Sequence, residues 1–509
     1  MIPVLFNEQM RELDFHMSKN LNIPSLLLME NAAFGLTRAA ISRLGADKKV
    51  VVVCGAGSNG GDGFAAARQL SSKGCRVRVL LAGSLRALEG DAAVNAKSFN
   101  GSITELTDKE TAEKHLENIA DAVVIDALLG SGLSRDVTGL LACIISLLNS
   151  SGAYIIACDI ASGIDADTGA ARGVAVKANE TVTFQYPKPG HFLYPGRAHT
   201  GKLTVKEIGV ADGFQLGEMF ALTDDVTLPR RGADTHKGSF GRLACVVGSQ
   251  GMSGAGILCA VAAMRAGAGL TTAGIPASLQ SVFSSCLPQS MTFALEDFSG
   301  SLSENCLPGL KRLLENKTAL AAGPGLSVGG GTTAAVRHML QNYDIRKVFD
   351  ADALNIIARD TSVLRGAVGD IVLTPHIAEF SRLCGASAEE LRQNSLKTAR
   401  EFAKSFGVTL LLKGPSTIVT NGTKTAFVTS GTAGMARGGS GDILTGVIGG
   451  LMCGGCEGGM DGFNAAMHGA YICGKAGESA AEEQGELSMS ATDTLRHISK
   501  ITKGMLPPD

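Results

Sequence analysis

No uninterrupted apolar run of about 18 residues occurs in this chain, which excludes a conventional membrane-spanning helix. The N-terminus lacks the succession of positive, apolar and small residues that marks a signal peptide, so a cytoplasmic location is expected. Charge is also sparse. Only 18% of the 509 residues are charged and the net charge is −2, which leaves no electrostatic footprint for nucleic acid or an anionic membrane. The two halves show no internal repeat. The 12 cysteines are scattered, mostly within apolar segments such as Val53-Cys54 and Ala244-Cys245, and read as reduced core thiols. Cys453 and Cys456 have C-x-x-C spacing, but no second pair or histidine pair accompanies them, so neither zinc nor redox chemistry is indicated.

What the chain has instead is apolar bulk and glycine. Hydrophobic residues make up 45%, and the 65 glycines cluster after apolar runs, the pattern of strand-to-helix loops built around ligands. The length exceeds one ordinary core, so at least two domains are expected. In the first part, apolar β-rich runs at Lys49–Cys54, Arg76–Leu81, Ala122–Ile125 and Tyr154–Cys158 alternate with helical patterns such as Phe64–Ser71 and Leu140–Leu148. This alternation predicts a parallel sheet with helices on both faces. The rhythm lapses from Gly209 to Gly232, through Asp212, Gly213, Asp224, Asp225, Pro229 and Arg230-Arg231. A second series follows, with strands at Leu243–Val247, Ala319–Ala322, Lys347–Phe349, Asp370–Leu373 and Val408–Leu412. Asn421-Gly422 predicts a tight hairpin between Thr417–Thr420 and Lys424–Val428. The expected organisation is a domain over 1–215, a linker over 216–230 and a domain over 231–509, each a doubly wound three-layer αβα fold.

In the first domain, Gly55-Ala56-Gly57-Ser58-Asn59-Gly60 matches G-x-G-x-x-G after a strand and before a helix. An NAD redox site does not follow. The next strand ends in Ala82-Gly83-Ser84, with no acid for a ribose hydroxyl, and Gly61-Asp62-Gly63 places a carboxylate where a pyrophosphate would sit. Two more strands end alike, Val123–Asp126 running into Ala127–Gly132 and Ile155–Asp159 into Ile160–Asp165. Ligands bind at the carboxyl ends of such strands, so Asn59, Asp62, Asp126, Asp159 and Ser162 should converge. These are hard oxygen donors without His or Cys, suited to an oxygen-preferring cation. Asp126 and Asp159 could also simply cap the turns that follow them. Asp165-Ala166-Asp167 resembles the start of a calcium loop, but the later EF-hand positions do not match.

In the second domain the most informative run is Gly438-Gly439-Ser440-Gly441-Asp442, followed by apolar residues that predict a helix from near Asp442. A glycine loop feeding a helix N-terminus suits phosphate oxygens. The aspartate would repel the anion, and fits either an N-cap or a base beside a transferring phosphoryl group. Ser253-Gly254-Ala255-Gly256, Gly323-Pro324-Gly325, Asp350–Asn355, Thr374-Pro375-His376 and Lys413–Thr417 fall at successive strand ends or helix starts. Each is weak alone: Pro324 and Pro375 suit ordinary turns, His376 a structural role, Lys413 a solvated loop. Together they predict a phosphate-handling crevice.

These motifs carry a resemblance. Ser58–Gly63, Asp126–Gly132, Asp159–Gly163 and Phe184–His191 resemble the NAD(P)H-hydrate epimerase family over nearly all of residues 1–210, which implies a Rossmann-like domain. The second series, over about 225–505, resembles the ribokinase-like fold and, within it, NAD(P)H-hydrate dehydratases. By that resemblance Ser58, Asn59, Gly60, Gly61 and Asp62, with Gly130, Ser131, Gly132, Leu133, Ser134, Arg135 and Asp136, line a hydrate site. Asp159 contacts the substrate and is the candidate acid/base, and Asn59, Asp126 and Ser162 hold potassium. Ala255, Gly325, His376 and Asp442 contact the hydrate in the second domain, with Asp442 the candidate base. Lys413, Gly414, Pro415, Ser416, Thr417 and Gly441 contact the nucleotide. Many relatives carry Asn at the position of Ser58, and the glycine after Thr-Pro-His is here Ala378.

The fused arrangement resembles prokaryotic bifunctional members. It implies epimerisation of the R and S hydrates of NADH and NADPH (NADHX and NADPHX) at C6. It further implies dehydration of the S hydrate with ADP as phosphoryl donor, Mg²⁺ on its phosphates, and a homo-oligomer. The residues alone also allow a vitamin or sugar kinase joined to a non-catalytic nucleotide-binding module.

Overall fold

The computed structural model describes residues 1–210, 214, 217–222, 226–454 and 458–507. The readings placed on Asp212, Gly213, Asp224, Asp225 and Cys456 lie outside the described residues. The chain divides into two compact units, Ile2–Met219 and Phe220–Asp509.

The N-terminal unit has strands β1 (Lys49–Cys54), β2 (Arg76–Ala82), β3 (Ile103–Leu106), β4 (Val123–Ala127), β5 (Tyr154–Cys158), β6 (Glu180–Phe184) and β7 (Lys202–Lys206). They form one sheet in the order β3-β2-β1-β4-β5-β6-β7. Every neighbouring pair is parallel. The run Val50–Cys54 is apolar throughout because both sheet faces are covered. Val50, Val52 and Cys54 enter a core with Leu36 of helix α1 (Ser25–Ile41) and Phe64 of helix α2 (Ser58–Ser72). Val51 and Val53 enter the opposite core with Ile144 and Leu148 of helix α3 (Gly139–Ser150). The strand order reverses between β1 and β4, so the loops after them open a crevice at the switch point.

The C-terminal unit has strands β8 (Arg242–Val246), β9 (Leu270–Pro276), β10 (Met291–Leu295), β11 (Ala319–Ala322), β12 (Arg346–Phe349), β13 (Ile371–Leu373), β14 (Thr409–Leu412), β15 (Thr417–Thr420) and β16 (Thr425–Val428). Their order is β16-β15-β14-β13-β12-β11-β8-β9-β10. Pairing is parallel from β14 to β10 and antiparallel through the β14-β15-β16 edge. Helices α4 (Ser253–Arg265), α5 (Ile377–Cys384), α6 (Ser440–Gly454) and α7 (Gly462–Gln484) surround it. Helix α6 begins at Ser440, two residues before the start read from the sequence, because the turn is already closed by the glycines before it. It lies against α4 at backbone distance. A β-carbon on Gly446 would fall 2.1 Å from the carbonyl oxygen of Cys259, and one on Gly450 would fall 2.4 Å from that of Ala263.

Two sequence readings change. The stretch read as a linker holds a strand, Met219–Ala221, and Val226 and Leu228 are buried in the C-terminal core, so apolar anchors outweigh its polar composition. The Asn421-Gly422 turn is wider than a two-residue loop. Asn421 Oδ1 accepts from the N–H groups of Thr423 (3.1 Å) and Lys424 (2.8 Å), an Asx turn with Gly422 at φ +90°.

One core residue is unexpected. Lys347, in β12, is fully buried and its Nζ donates to the carbonyls of Leu340 (3.0 Å) and Val368 (2.7 Å). Burial pushes its ammonium down to about 8 from an ordinary 10.5. Within that window the unfolded chain holds a proton that the folded chain has shed, so this group makes stability rise with pH. Lys347→Met should destabilise the protein by about 1–3 kcal/mol near neutrality, because two buried carbonyls lose their donor. It should also flatten the rise, which urea titrations at about pH 7.5 and about pH 10 would read.

Candidate functional site

At the β1–α2 loop the backbone folds back tightly on its neighbours. A β-carbon on Gly55 would fall 2.0 Å from the Leu128 carbonyl oxygen, and one on Gly60 would fall 1.9 Å from that of Gly55. Only glycine fits, and the loop is thereby locked to the end of β4. The result is a cavity of about 830 Å³ walled by Gly57, Ser58, Asn59, Asp62, Gly130, Ser131, Gly132, Leu133, Asp159 and Lys188 among others. Gly60 and Gly61 are buried behind this wall, and Ser134, Arg135 and Asp136 lie exposed beyond it.

Asp126 is fully buried beneath the cavity. Its Oδ1 accepts from Ser162 Oγ (2.6 Å) and weakly from the Leu128 N–H (3.3 Å), and its Oδ2 from the Ser162 N–H (2.9 Å). Asp126 thus braces the turns after β4 and β5, as its capping reading expected. Burial raises its carboxyl to about 6 against these hydrogen bonds. Asn59 Nδ2 is buried without a partner. Asp126 and Ser162 offer hard oxygens and the Asn59 amide a third, with its nitrogen unsatisfied, a donor set whose chemistry fits a monovalent cation.

Asp159 ends β5 in the left-handed region, at φ +65°. Its carboxylate is held by Lys188 Nζ in an ion pair and by Thr183 Oγ1 at 3.0 Å. Lys188 also donates to Thr183 Oγ1 (3.0 Å) and its side chain is only 2% exposed, so its charge is committed to this pair. His191 locks the turn. The Lys188 N–H donates to its Nδ1 (2.9 Å), which leaves the proton on Nε2, donated to the Asp159 carbonyl (2.9 Å). Burial, then the Lys188 charge, pushes His191 down to about 4, so it is neutral. Burial raises the Asp159 carboxyl, but Lys188 outweighs it and holds the group below the usual carboxylate range. Asp62 shows the opposite behaviour: burial, then the charges of Asp159 and Asp14, push it well above that range.

In the C-terminal unit Asp350, at the end of β12, is the counterpart of Asp159. It is 1% exposed and accepts from Lys413 Nζ (2.8 Å) on Oδ1 and from Thr445 Oγ1 (2.8 Å) on Oδ2. Gly441 completes the cluster, since a β-carbon there would lie 3.4 Å from both Asp350 Oδ2 and Lys413 Nζ. Burial opposes the Lys413 charge, but Asp350 raises its pKa and keeps it ionised. Asp442, in the first turn of α6, is not a cap: no hydrogen bond reaches its carboxylate among the described residues. Burial, then the Asp350 charge, raises it to about 6.

The other predicted residues arrange around this pair. His376 caps α5, accepting at Nδ1 from the Ala378 (3.1 Å) and Glu379 (3.3 Å) N–H groups. Its Nε2 lies 3.5 Å from Glu379 Oε1, and Glu379 is 4.0 Å from Lys413 Nζ. Its structural role is thus met while half the side chain stays open. Gly325 (φ +61°) packs on Ala255, where an added β-carbon would be 3.1 Å away. Gly414 and Pro415 are exposed, Thr417 starts β15, and Ser416 Oγ is buried without a partner. Among the described residues no three His, Cys, Asp or Glu could hold a metal ion. Sequence reasoning did not single out Lys188, His191, Thr445 or Glu379 as parts of these sites; Lys188 and His191 lie in the Phe184–His191 motif, and Asp350 was marked only within the run Asp350–Asn355.

Two doubly wound units, each with a lysine-paired aspartate at a strand end and a second aspartate left open beside it, define a two-site α/β enzyme. The family models concur: residues 25–190 match the YjeF-related protein N-terminus and residues 243–500 match NAD(P)H-hydrate dehydratase. The bifunctional NAD(P)H-hydrate repair enzyme Nnr of Moorella thermoacetica is 36% identical over 98% of this chain and 96% of its own. That of Coxiella burnetii is 35% identical over 97% of this chain and 98% of its own. Among solved structures, an ADP/ATP-dependent NAD(P)H-hydrate dehydratase from Bacillus subtilis, co-crystallized with ATP/Mg²⁺, is 27% identical with a TM-score of 0.48, covering 55% of this chain and 96% of that one. The chain belongs to the bifunctional NAD(P)H-hydrate repair enzymes, with an epimerase and a dehydratase domain. The kinase alternative is not favoured. No helix among the described residues is long and apolar enough to cross a membrane.

The Asp159–Lys188 pair generates a stability test. Lys188→Met strands a buried carboxylate and should cost about 3–5 kcal/mol, whereas Asp159→Asn combined with Lys188→Met should recover most of that. Urea unfolding of both variants would read the difference.

Proposed function

We propose that the N-terminal unit interconverts the C6 epimers of hydrated NADH and NADPH, and that the C-terminal unit dehydrates the S epimer with ADP, releasing AMP and phosphate. The observation that carries the second half is Asp442: an open carboxylate on the first turn of a glycine-led helix, beside a lysine already neutralised by Asp350. Hydroxide is a poor leaving group. Transfer of a phosphoryl group to the C6 hydroxyl turns it into phosphate, which leaves with push from the ring nitrogen while a proton leaves C5. Asp442 accepts the hydroxyl proton as transfer proceeds. The N–H groups around Gly441 face the phosphoryl oxygens, Lys413 and the unpartnered Ser416 hydroxyl face the nucleotide, and Ala255, Gly325 and His376 bound the hydrate. Mg²⁺ would enter with the nucleotide and would supply charge to offset its phosphates, in keeping with its preference for phosphate and water over a protein cage.

In the N-terminal unit Asp159 serves as acid/base at C6, with its charge fixed by Lys188. Asn59, Asp126 and Ser162 would hold potassium, whose charge would offset the buried Asp126 carboxylate.

Asp442→Asn should lower nucleotide-dependent dehydration by about 10²–10⁴-fold with folding intact. The assay is the return of reduced-nicotinamide absorbance from NADHX with ADP or ATP. Because Asp442 must be ionised to act, kcat of the wild-type protein should fall as pH drops through about 6. Asp159→Ala should remove epimer interconversion, followed by chromatography without nucleotide. Full activity in either variant contradicts the role given to that residue.

A further inference from the structure

The cavity of the N-terminal unit holds two differently treated carboxylates. Asp159 is ion-paired to Lys188, hydrogen-bonded to Thr183 and fixed in place. Asp62, on α2, shares the same cavity wall but has no hydrogen bond or ion pair among the described residues. Charged and titratable groups face it from every side: Asp159 and Lys188 from the β5 and β6 ends, Asp14 from the helix Asn7–Phe15, Asp91 from the helix Gly90–Ser98, and the buried thiols of Cys54 and Cys158. Lys188, the ammonium whose charge reaches Asp62, is spent on Asp159, and Arg11, the guanidinium that the helix Asn7–Phe15 adds to the wall, makes no ion pair with Asp62 among the described residues. A carboxyl left without a cation, among other carboxylates, is stable as the neutral acid.

Resting on the epimerase reading, we infer that Asp62 is a catalytic residue, the general acid that protonates the departing C6 hydroxyl. The Asp62 proton passes to the hydroxyl oxygen, the C6–O bond breaks, and its electron pair leaves with oxygen as water. The lone pair on N1 closes an N1=C6 double bond, giving an iminium ion whose positive charge faces the fixed Asp159 carboxylate. Water then adds to the opposite face of C6, the double-bond pair returns to N1, and the added water loses a proton to Asp159. Exchange with solvent through the open cavity restores both carboxyls. The open and the paired aspartate thus divide the work. The raised pKa of Asp62 and the lowered pKa of Asp159 fit that division.

The test uses the full chain, resolved epimers of NADHX, and ¹⁸O-labelled water. The wild-type protein should interconvert the epimers, incorporate ¹⁸O at C6, and slow as pH rises through the elevated pKa of Asp62. Asp62→Asn should lose at least about 100-fold of epimerisation above the uncatalysed background. It should keep nucleotide-dependent dehydration of the S epimer and lose the alkaline fall in rate. The substitution is isosteric and removes the cost of keeping a buried carboxyl protonated, so its urea midpoint should equal or exceed that of the wild type. If the variant nevertheless unfolds, the wild-type pH profile and label uptake decide the matter. Epimerisation within about threefold of wild type in the folded variant, or epimerisation without ¹⁸O uptake, overturns the role of Asp62 alone. Absence of epimerisation in the wild type overturns the epimerase reading with it.

Discussion

A carboxylate at the end of a buried strand must find a cation or a proton, and both units are organised around how they meet that demand. In the N-terminal unit Lys188 reaches Asp159, and in the C-terminal unit Lys413 reaches Asp350. Each pairing commits a lysine to one carboxylate. A second aspartate nearby, Asp62 or Asp442, is then left in a half-dry setting with its pKa raised. The fold does not need the second carboxylate. Its presence is the mark of chemistry, because a group that neither caps nor pairs contributes nothing to stability that would justify its burial.

Glycine sets the positions of these groups more than side-chain packing does. Gly55 and Gly60 lock the β1–α2 loop against the end of β4, and that contact fixes where α2 presents Asn59 and Asp62. Gly446 and Gly450 let α6 settle directly on the α4 backbone, which fixes the depth at which Asp442 sits. Such contacts have no soft rotamers to absorb a displacement, so the placement of the acid is as stiff as the backbone itself.

Much of this was legible in the sequence, for identifiable reasons. Strands such as Lys49–Cys54, Tyr154–Cys158 and Ala319–Ala322 read true because burial on both faces makes them continuously apolar. The polar-patterned strands Ile103–Leu106 and Lys202–Lys206 went unread, since half-buried edge positions carry weaker signals. Among site residues, those in glycine loops announced themselves. Lys188 and His191 did not, although they lie in a segment whose resemblance was evident. Their role depends on a fully buried ion pair and a ring-to-carbonyl hydrogen bond that only the folded β5–β6 geometry creates. Ser134, Arg135 and Asp136 continue the β4 loop in sequence but leave the cavity in space, because the chain turns outward after Leu133.

Asp159 occupies a left-handed backbone conformation that an L-residue adopts at a cost of about 1–2 kcal/mol and glycine adopts freely. Its backbone would therefore be better served by a residue with no side chain at all. The carboxylate stands there against local preference, so this position answers two opposed demands, one from chain geometry and one from the buried partner Lys188. In descendants relieved of the epimerase task, that balance tips: the site should drift to glycine or asparagine, with Lys188 released in its wake. Among relatives, the residue at this single turn would then tell whether the pair with Lys188 is still kept.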